Sequence, residues 1–73
     1  MLSDIERKVL RVIANYSAGR RRTPTIHELS TKTGRSRGGI MMVLEVLAKE
    51  KYIEWMRSAP DDITVLEAWE RKR

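Results

Sequence analysis

The sequence predicts a mainly α-helical domain that closes with a small β-hairpin. Three features of its 73 residues predict this. Apolar residues recur at helical spacing in three stretches, Ser3 to Tyr16, Thr25 to Thr33 and Ser36 to Glu50. Each stretch opens on a serine or threonine, residues whose side-chain oxygen can accept a bond from an orphan N–H at a helix start. After Glu50 the period changes to rough alternation, in two β-prone runs around a turn-forming segment.

The first helix is expected at about Ser3 to Tyr16. Ser3 and Glu6 fit a capping box. Ile5, Val9, Val12, Ile13 and Tyr16 follow one face, with Arg7, Lys8 and Arg11 on or near the other as a solvated surface. A loop is expected over Ala18 to Pro24, with Gly19 ending the helix and Pro24 preventing its continuation. Within it, Arg20, Arg21 and Arg22 are either a solvated run or phosphate contacts, and phosphate is slightly preferred. Thr25 and Glu28 form a second capping box, and Ile26 and Leu29 face inward on a short helix ending near Thr33. Gly34 reads as a helix stop and Ser36 as the next N-cap. In the third helix Ile40, Val43, Leu44 and Leu47 make the apolar face, while Gly38, Met42, Glu45 and Lys49 lie opposite, flanked by Met41 and Val46. The strands are expected at Tyr52 to Arg57 and Ile63 to Leu66, with the turn at Ser58 to Asp62. Ile5, Val9, Ile13, Ile26, Leu29, Ile40, Leu44, Leu47 and Ile53 are the expected core. The chain is expected to be one domain, 1–73, with 67–73 as a C-terminal tail that forms a last helical turn or is partly disordered.

Helix, helix-turn-helix, hairpin is the layout of a winged helix-turn-helix: three helices plus a two-stranded antiparallel wing. Such a fold presents its last helix to the major groove of DNA. The charge agrees with a polyanionic partner. Net charge is +5, and the segment from Ile5 to Arg57 holds twelve Lys/Arg against five Glu. Asp61, Asp62, Glu67 and Glu70 make the following segment acidic before Arg71-Lys72-Arg73.

Other classes find little support. There is no cysteine, so disulfides and cysteine-ligated metal are excluded, and a reducing compartment, the cytoplasm, is expected. No apolar run approaches the ~20 residues of a membrane span, and the N-terminus lacks a signal-peptide h-region. His27 is the only histidine and has no second ligand nearby. No nucleophile–base spacing and no phosphate-cradling glycine loop occurs; Gly38-Gly39 is not followed by a P-loop lysine. An enzyme, a cofactor, a metal and a small-molecule substrate are therefore not expected.

Several stretches resemble one family. They are Leu2-Ser3 through Glu6 and Val9-Leu10 to Ile13; Thr23-Pro24-Thr25 with Glu28-Leu29; and Arg35-Ser36 followed by Leu44, Leu47-Ala48-Lys49 and Ile53-Glu54. From Leu2 to about Leu66 the chain resembles the N-terminal DNA-binding domain of the LexA repressor family. The resemblance implies a winged helix-turn-helix in which Ser36 keeps the residue type of a DNA-contacting position. Gly38, Gly39, Met41 and Met42 fall where that family reads bases with Asn, Ala and two Glu, so its operator is not expected to be recognised here. The turn before Arg35 is one residue shorter than in the family. The wing segment Ala59-Pro60-Asp61-Asp62 is acidic where a phosphate contact would want a cation or a bare N–H. The chain is expected to act without the protease and dimerisation domain found in the family.

Two functions follow as expectations. The first is a small transcriptional regulator that binds double-stranded DNA with helix 36–50 in the major groove. Lys32, Arg35, Arg37 and Arg20 to Arg22 would hold phosphates, and Gly38 and Gly39 would allow close backbone approach. Met41 and Met42 would pack on thymine methyls, and Thr25, Ser36, Glu45, Lys49 and Arg57 complete the expected DNA-facing set. The alternative is a protein-interaction module on the same fold, an antirepressor or a phage- or plasmid-type accessory factor. It would use the Gly38-Gly39/Met41-Met42 surface to hold another protein or a second copy of itself.

Overall fold

A computed structural model describes residues 2–69 of the chain; the expected tail beyond Trp69 lies outside them. The order is α1 (Asp4–Arg20), α2 (Ile26–Thr33), α3 (Arg37–Lys49), β1 (Ile53–Met56) and β2 (Ala59–Val65). This is a mainly helical domain with an antiparallel two-stranded wing, as the periodicity predicts.

The caps form where the sequence places them. The Glu6 N–H donates to the Ser3 hydroxyl at 3.3 Å, and the Ser3 N–H donates to the Glu6 carboxylate at 2.8 Å. In α2 the Glu28 N–H donates to Thr25 Oγ1 at 3.2 Å and the Thr25 N–H to Glu28 Oε1 at 2.9 Å. Gly34 closes α2 at φ 72°, a left-handed conformation that glycine adopts without a Cβ clash. Ser36 then caps α3, accepting from the Gly39 N–H at 3.1 Å. The last turn of α3 ends in a Schellman arrangement. Lys51 takes φ 67°, its N–H reaches the Ala48 carbonyl at 3.1 Å, and the Tyr52 N–H reaches Leu47 at 3.0 Å.

The structure corrects two boundaries. Gly19 does not end α1, and Ala18 to Arg20 are helical rather than loop; the left-handed residue is Arg21, at φ 59°. Tertiary contact moves the boundary. Tyr16 is buried, and the Ser17 hydroxyl donates to the Ile13 carbonyl at 2.8 Å, so the helix is held for another turn. The reversal then falls nearer Pro24. A non-glycine residue in this conformation costs about 1–2 kcal/mol, which the docking of Tyr16 must offset.

The hairpin turn is also shorter than expected. Only Arg57 and Ser58 lie between Met56 and its partner Ala59, and Ala59 to Asp62 belong to β2 rather than to the turn. The ladder pairs Ile53 with Val65 and Glu54 with Thr64, then shifts register before Met56. That bulge absorbs the additional residues of β2. Pro60 fits because both strands of a two-stranded sheet have an open edge, where its missing N–H leaves no ladder gap. Its carbonyl accepts from Trp55 Nε1 at 2.9 Å. Two further bonds tie β2 to the helices. Thr23 Oγ1 donates to the Ile63 carbonyl at 2.9 Å, and the Asp61 carboxylate accepts from the Ile26 N–H at 2.9 Å. Asp61 thus caps the first turn of α2 from across the fold, where its charge also meets the positive end of the helix dipole.

Val9, Ile13, Ile26, Leu29, Ile40, Leu44, Leu47 and Ile53 are buried as expected, while Ile5 packs only partly against them. Leu10, fully buried beside Val9 and Ile13, joins the core although it is not among the residues expected on the apolar face of α1. Tyr52 and Ile63 seal the hairpin side. Among the described residues no helix is long and apolar enough to cross a membrane.

Leu47 has no exposed surface and sits where α3 meets the other elements. Leu47→Ala is expected to cost roughly 2–5 kcal/mol, a large part of the stability of so small a domain. Met42→Ala, on the opposite face, should leave the urea midpoint nearly unchanged. Equal midpoint shifts for the two variants would mean that α3 is buried through a different face.

Candidate nucleic-acid interface

With Ile40, Val43, Leu44 and Leu47 turned inward, the opposite face of α3 is left to solvent. Gly38, Met42, Glu45, Val46 and Lys49 are all exposed, Met42 by 66%. A side chain at Gly38 would meet nothing within 4 Å, so the backbone there is open to close approach. The two adjacent methionines separate. Met41 is half-buried against the core and does not share the outward position of Met42. One residue is 100° of helical rotation, and Met41 lies beside the Ile40–Leu44 stripe.

Cations surround the start of α3. Lys32 stands in the last turn of α2, and Arg35 and Arg37 flank Ser36. All three are exposed, and none makes an ion pair with a described residue. The Ser36 oxygen is engaged as the cap, but its hydroxyl hydrogen remains available to donate outward. The turn between α2 and α3 is braced by the Ser30 hydroxyl, which donates to the Arg35 carbonyl.

Two expected contact residues meet each other. Arg57 Nε, in the wing turn, donates to Glu45 Oε2 at 2.7 Å. Each side chain is 57% exposed, so the pair adds little stability. It does join the wing to α3, and it covers a carboxylate on the face that would otherwise repel phosphate.

A second cationic group gathers around Tyr16. The Arg20, Arg22 and Lys32 charges lie 4.4, 5.0 and 5.9 Å from the centre of its ring. The Tyr16 hydroxyl donates to Glu28. Arg22 grips the same carboxylate with two bonds, at 3.1 and 3.3 Å. Of the three loop arginines, Arg22 is therefore held on the protein, while Arg20 stacks on Tyr16 and Arg21 is exposed. Thr25, expected to face DNA, holds the capping box with Glu28. The sequence places Tyr16 on the apolar face of α1 and gives it no part among the cations. Its four-residue spacing to Arg20 is a signal visible in the sequence, but its approach to Lys32 crosses between helices. The acidic residue Asp61 is not at the wing tip; it faces the start of α2. Among the described residues no three His, Asp or Glu side chains are grouped to hold a metal ion, and His27 is exposed.

The Glu28 carboxyl is held well below the usual carboxylate range. The Arg22 guanidinium is the main cause, followed by the Tyr16 hydroxyl and the Thr25 N–H. The same hydrogen bond to Glu28 pushes the Tyr16 hydroxyl up, and the Glu28 carboxylate pushes Arg22 up.

No family model matches the chain, and no curated protein matches it.

The depressed Glu28 pKa sets a direction for stability against pH. A carboxyl whose folded pKa lies below its unfolded value of about 4.3 stabilises the fold above that pH. The contribution is lost as pH falls toward the folded pKa. Glu28→Gln should therefore lower the thermal midpoint at pH 7, and the gap from wild type should narrow steadily as pH drops below about 5. A gap of constant size down to pH 3 would show that the charge on Glu28 contributes nothing.

Proposed function

We propose that this protein is a small regulator that binds duplex DNA, with α3 in the major groove and the hairpin as the wing beside it. The observation that carries this reading is the outward face of α3, open along its length and headed by Lys32, Arg35 and Arg37. A helix of about 10–12 Å diameter fits the major groove, which is about 12 Å wide. Cations around the helix start would hold the phosphates on either side and set the register. Arg20 and Arg21 would extend that contact along the backbone. The resemblance to the DNA-binding domain of the LexA family supports the same placement, and the differing base-reading positions give this chain a different target. The lack of cysteine suits work in the cytoplasm. No catalytic step enters this reading.

The exposed apolar side chains Met42 and Val46 favour a second reading, in which the same face holds a protein or a second copy of the chain. Sedimentation separates the two: self-association abolished by Met42→Ala, without measurable DNA binding, would support the protein partner.

Arg20, Arg21, Lys32, Arg35 and Arg37 supply about five phosphate contacts, so log affinity for duplex DNA should fall against log salt with a slope near −4.5. Removing two contacts with Arg35→Ala/Arg37→Ala should flatten the slope by about two and weaken binding to all sequences alike. Absence of binding to any duplex at low salt would sink the DNA reading.

A further inference from the structure

The middle of the α3 face is apolar. Gly38 offers no side chain, and Glu45 is taken up by Arg57 at 2.7 Å. Met42 and Val46, one turn apart, are the exposed apolar side chains of this face, and Lys49 follows in the last turn. Neither Met42 nor Val46 can make the paired hydrogen bonds by which Arg, Asn or Gln identify a base. In the major groove the one apolar feature of a base edge is the C5-methyl group of thymine. Methylation of cytosine at C5 places the same group in the same groove.

We propose, resting on the DNA-binding reading above, that α3 selects duplex DNA by C5-methyl groups of pyrimidines, thymine and 5-methylcytosine alike, through Met42 and Val46. Charge argues for this occupant of the apolar stripe. Arg35 and Arg37 lie at one end of the stripe and Lys49 at the other, so cations stand at both ends of it, available to the phosphates that border the groove. The Arg57–Glu45 pair removes the one carboxylate on the face that would oppose it. Four residues of helix advance about 6 Å, close to two base-pair steps of about 3.4 Å each. With α3 along the groove, the two side chains thus meet methyl groups about two steps apart. The unbranched thioether of Met42 adapts to small shifts in that spacing.

The test uses short B-form duplexes of one mixed sequence in three versions: with thymine, with uracil in its place, and with uracil plus 5-methylcytosine for cytosine. Affinity is read by fluorescence anisotropy at low salt, across a salt series. Burying one methyl group corresponds to about a fourfold gain, so loss of two should weaken the uracil duplex roughly fifteenfold. The 5-methylcytosine version should recover affinity. In Met42→Ala/Val46→Ala the three versions should bind alike while the salt slope stays as in wild type. Both side chains are exposed, so the helix content should be kept; Met42→Gln, which preserves length and removes the apolar end, is the second variant and should lower the ratio too. Equal binding of the three duplexes by wild type, with salt dependence intact, overturns the methyl proposal and leaves DNA binding standing. A ratio that persists in the double variant overturns it as well, because the discrimination then lies elsewhere or in DNA shape. Failure to bind any duplex removes both readings, and self-association lost in Met42→Ala would then assign the stripe to a protein partner.

Discussion

The burial of one stripe on α3 decides what the rest of the molecule can present. Ile40, Val43, Leu44 and Leu47 pack against α1, α2 and β1, and α3 has no rotational freedom once they do. A turn of 100°, a single residue, would expose Ile40 and Leu47 in either direction; one direction would bury Glu45, and the other would put Gly39 where Ile40 fills the core. The outward set of Met42, Glu45, Val46 and Lys49 is therefore a consequence of the inward set. The position of α3 is fixed from both ends. Gly34 and Ser36 set the angle at which the chain enters it, and the Schellman turn at Lys51 directs the chain straight into the wing.

Two carboxylates hold the other elements in relation to that helix. Glu28 completes the cap of α2 and at the same time binds Tyr16 from α1 and Arg22 from the connecting loop. Asp61 joins the wing to the first turn of α2. Glu28 does a local task and a long-range one with the same carboxylate, while Asp61 supplies a long-range cap. Acidic residues on a cationic domain look unfavourable in a charge count. Here Glu28, Glu45 and Asp61 are all occupied inside the fold, by a guanidinium, a guanidinium and a backbone N–H.

The pairing leaves an uneven charge distribution. Arg22 and Arg57 are held by carboxylates, while Lys32, Arg35, Arg37 and Lys49 point to solvent around an apolar centre. Cations on phosphates supply affinity without sequence information. What information the surface can read has to come from its shape and its apolar groups. On the proposed DNA-binding reading, such a surface would bind broadly and discriminate modestly.

The local elements were legible in the sequence. Both capping boxes, the Ser36 cap, the Gly34 stop and the apolar stripe of α3 depend on residues within about one helical turn of each other, so spacing alone records them. The order of helices and strands follows from that, and so does the identity of most of the core. The tertiary structure alone decided the rest. It extended α1 past Gly19, because Tyr16 found a partner on α2. It drew Ala59 to Asp62 into a strand, because Asp61 and Ile63 found partners beside α2 and Trp55 found the Pro60 carbonyl. It chose Arg22 rather than Arg21 for Glu28. These outcomes rest on contacts between residues far apart in the chain. Such contacts form only once the core has closed, and no local spacing encodes which charge will then meet which.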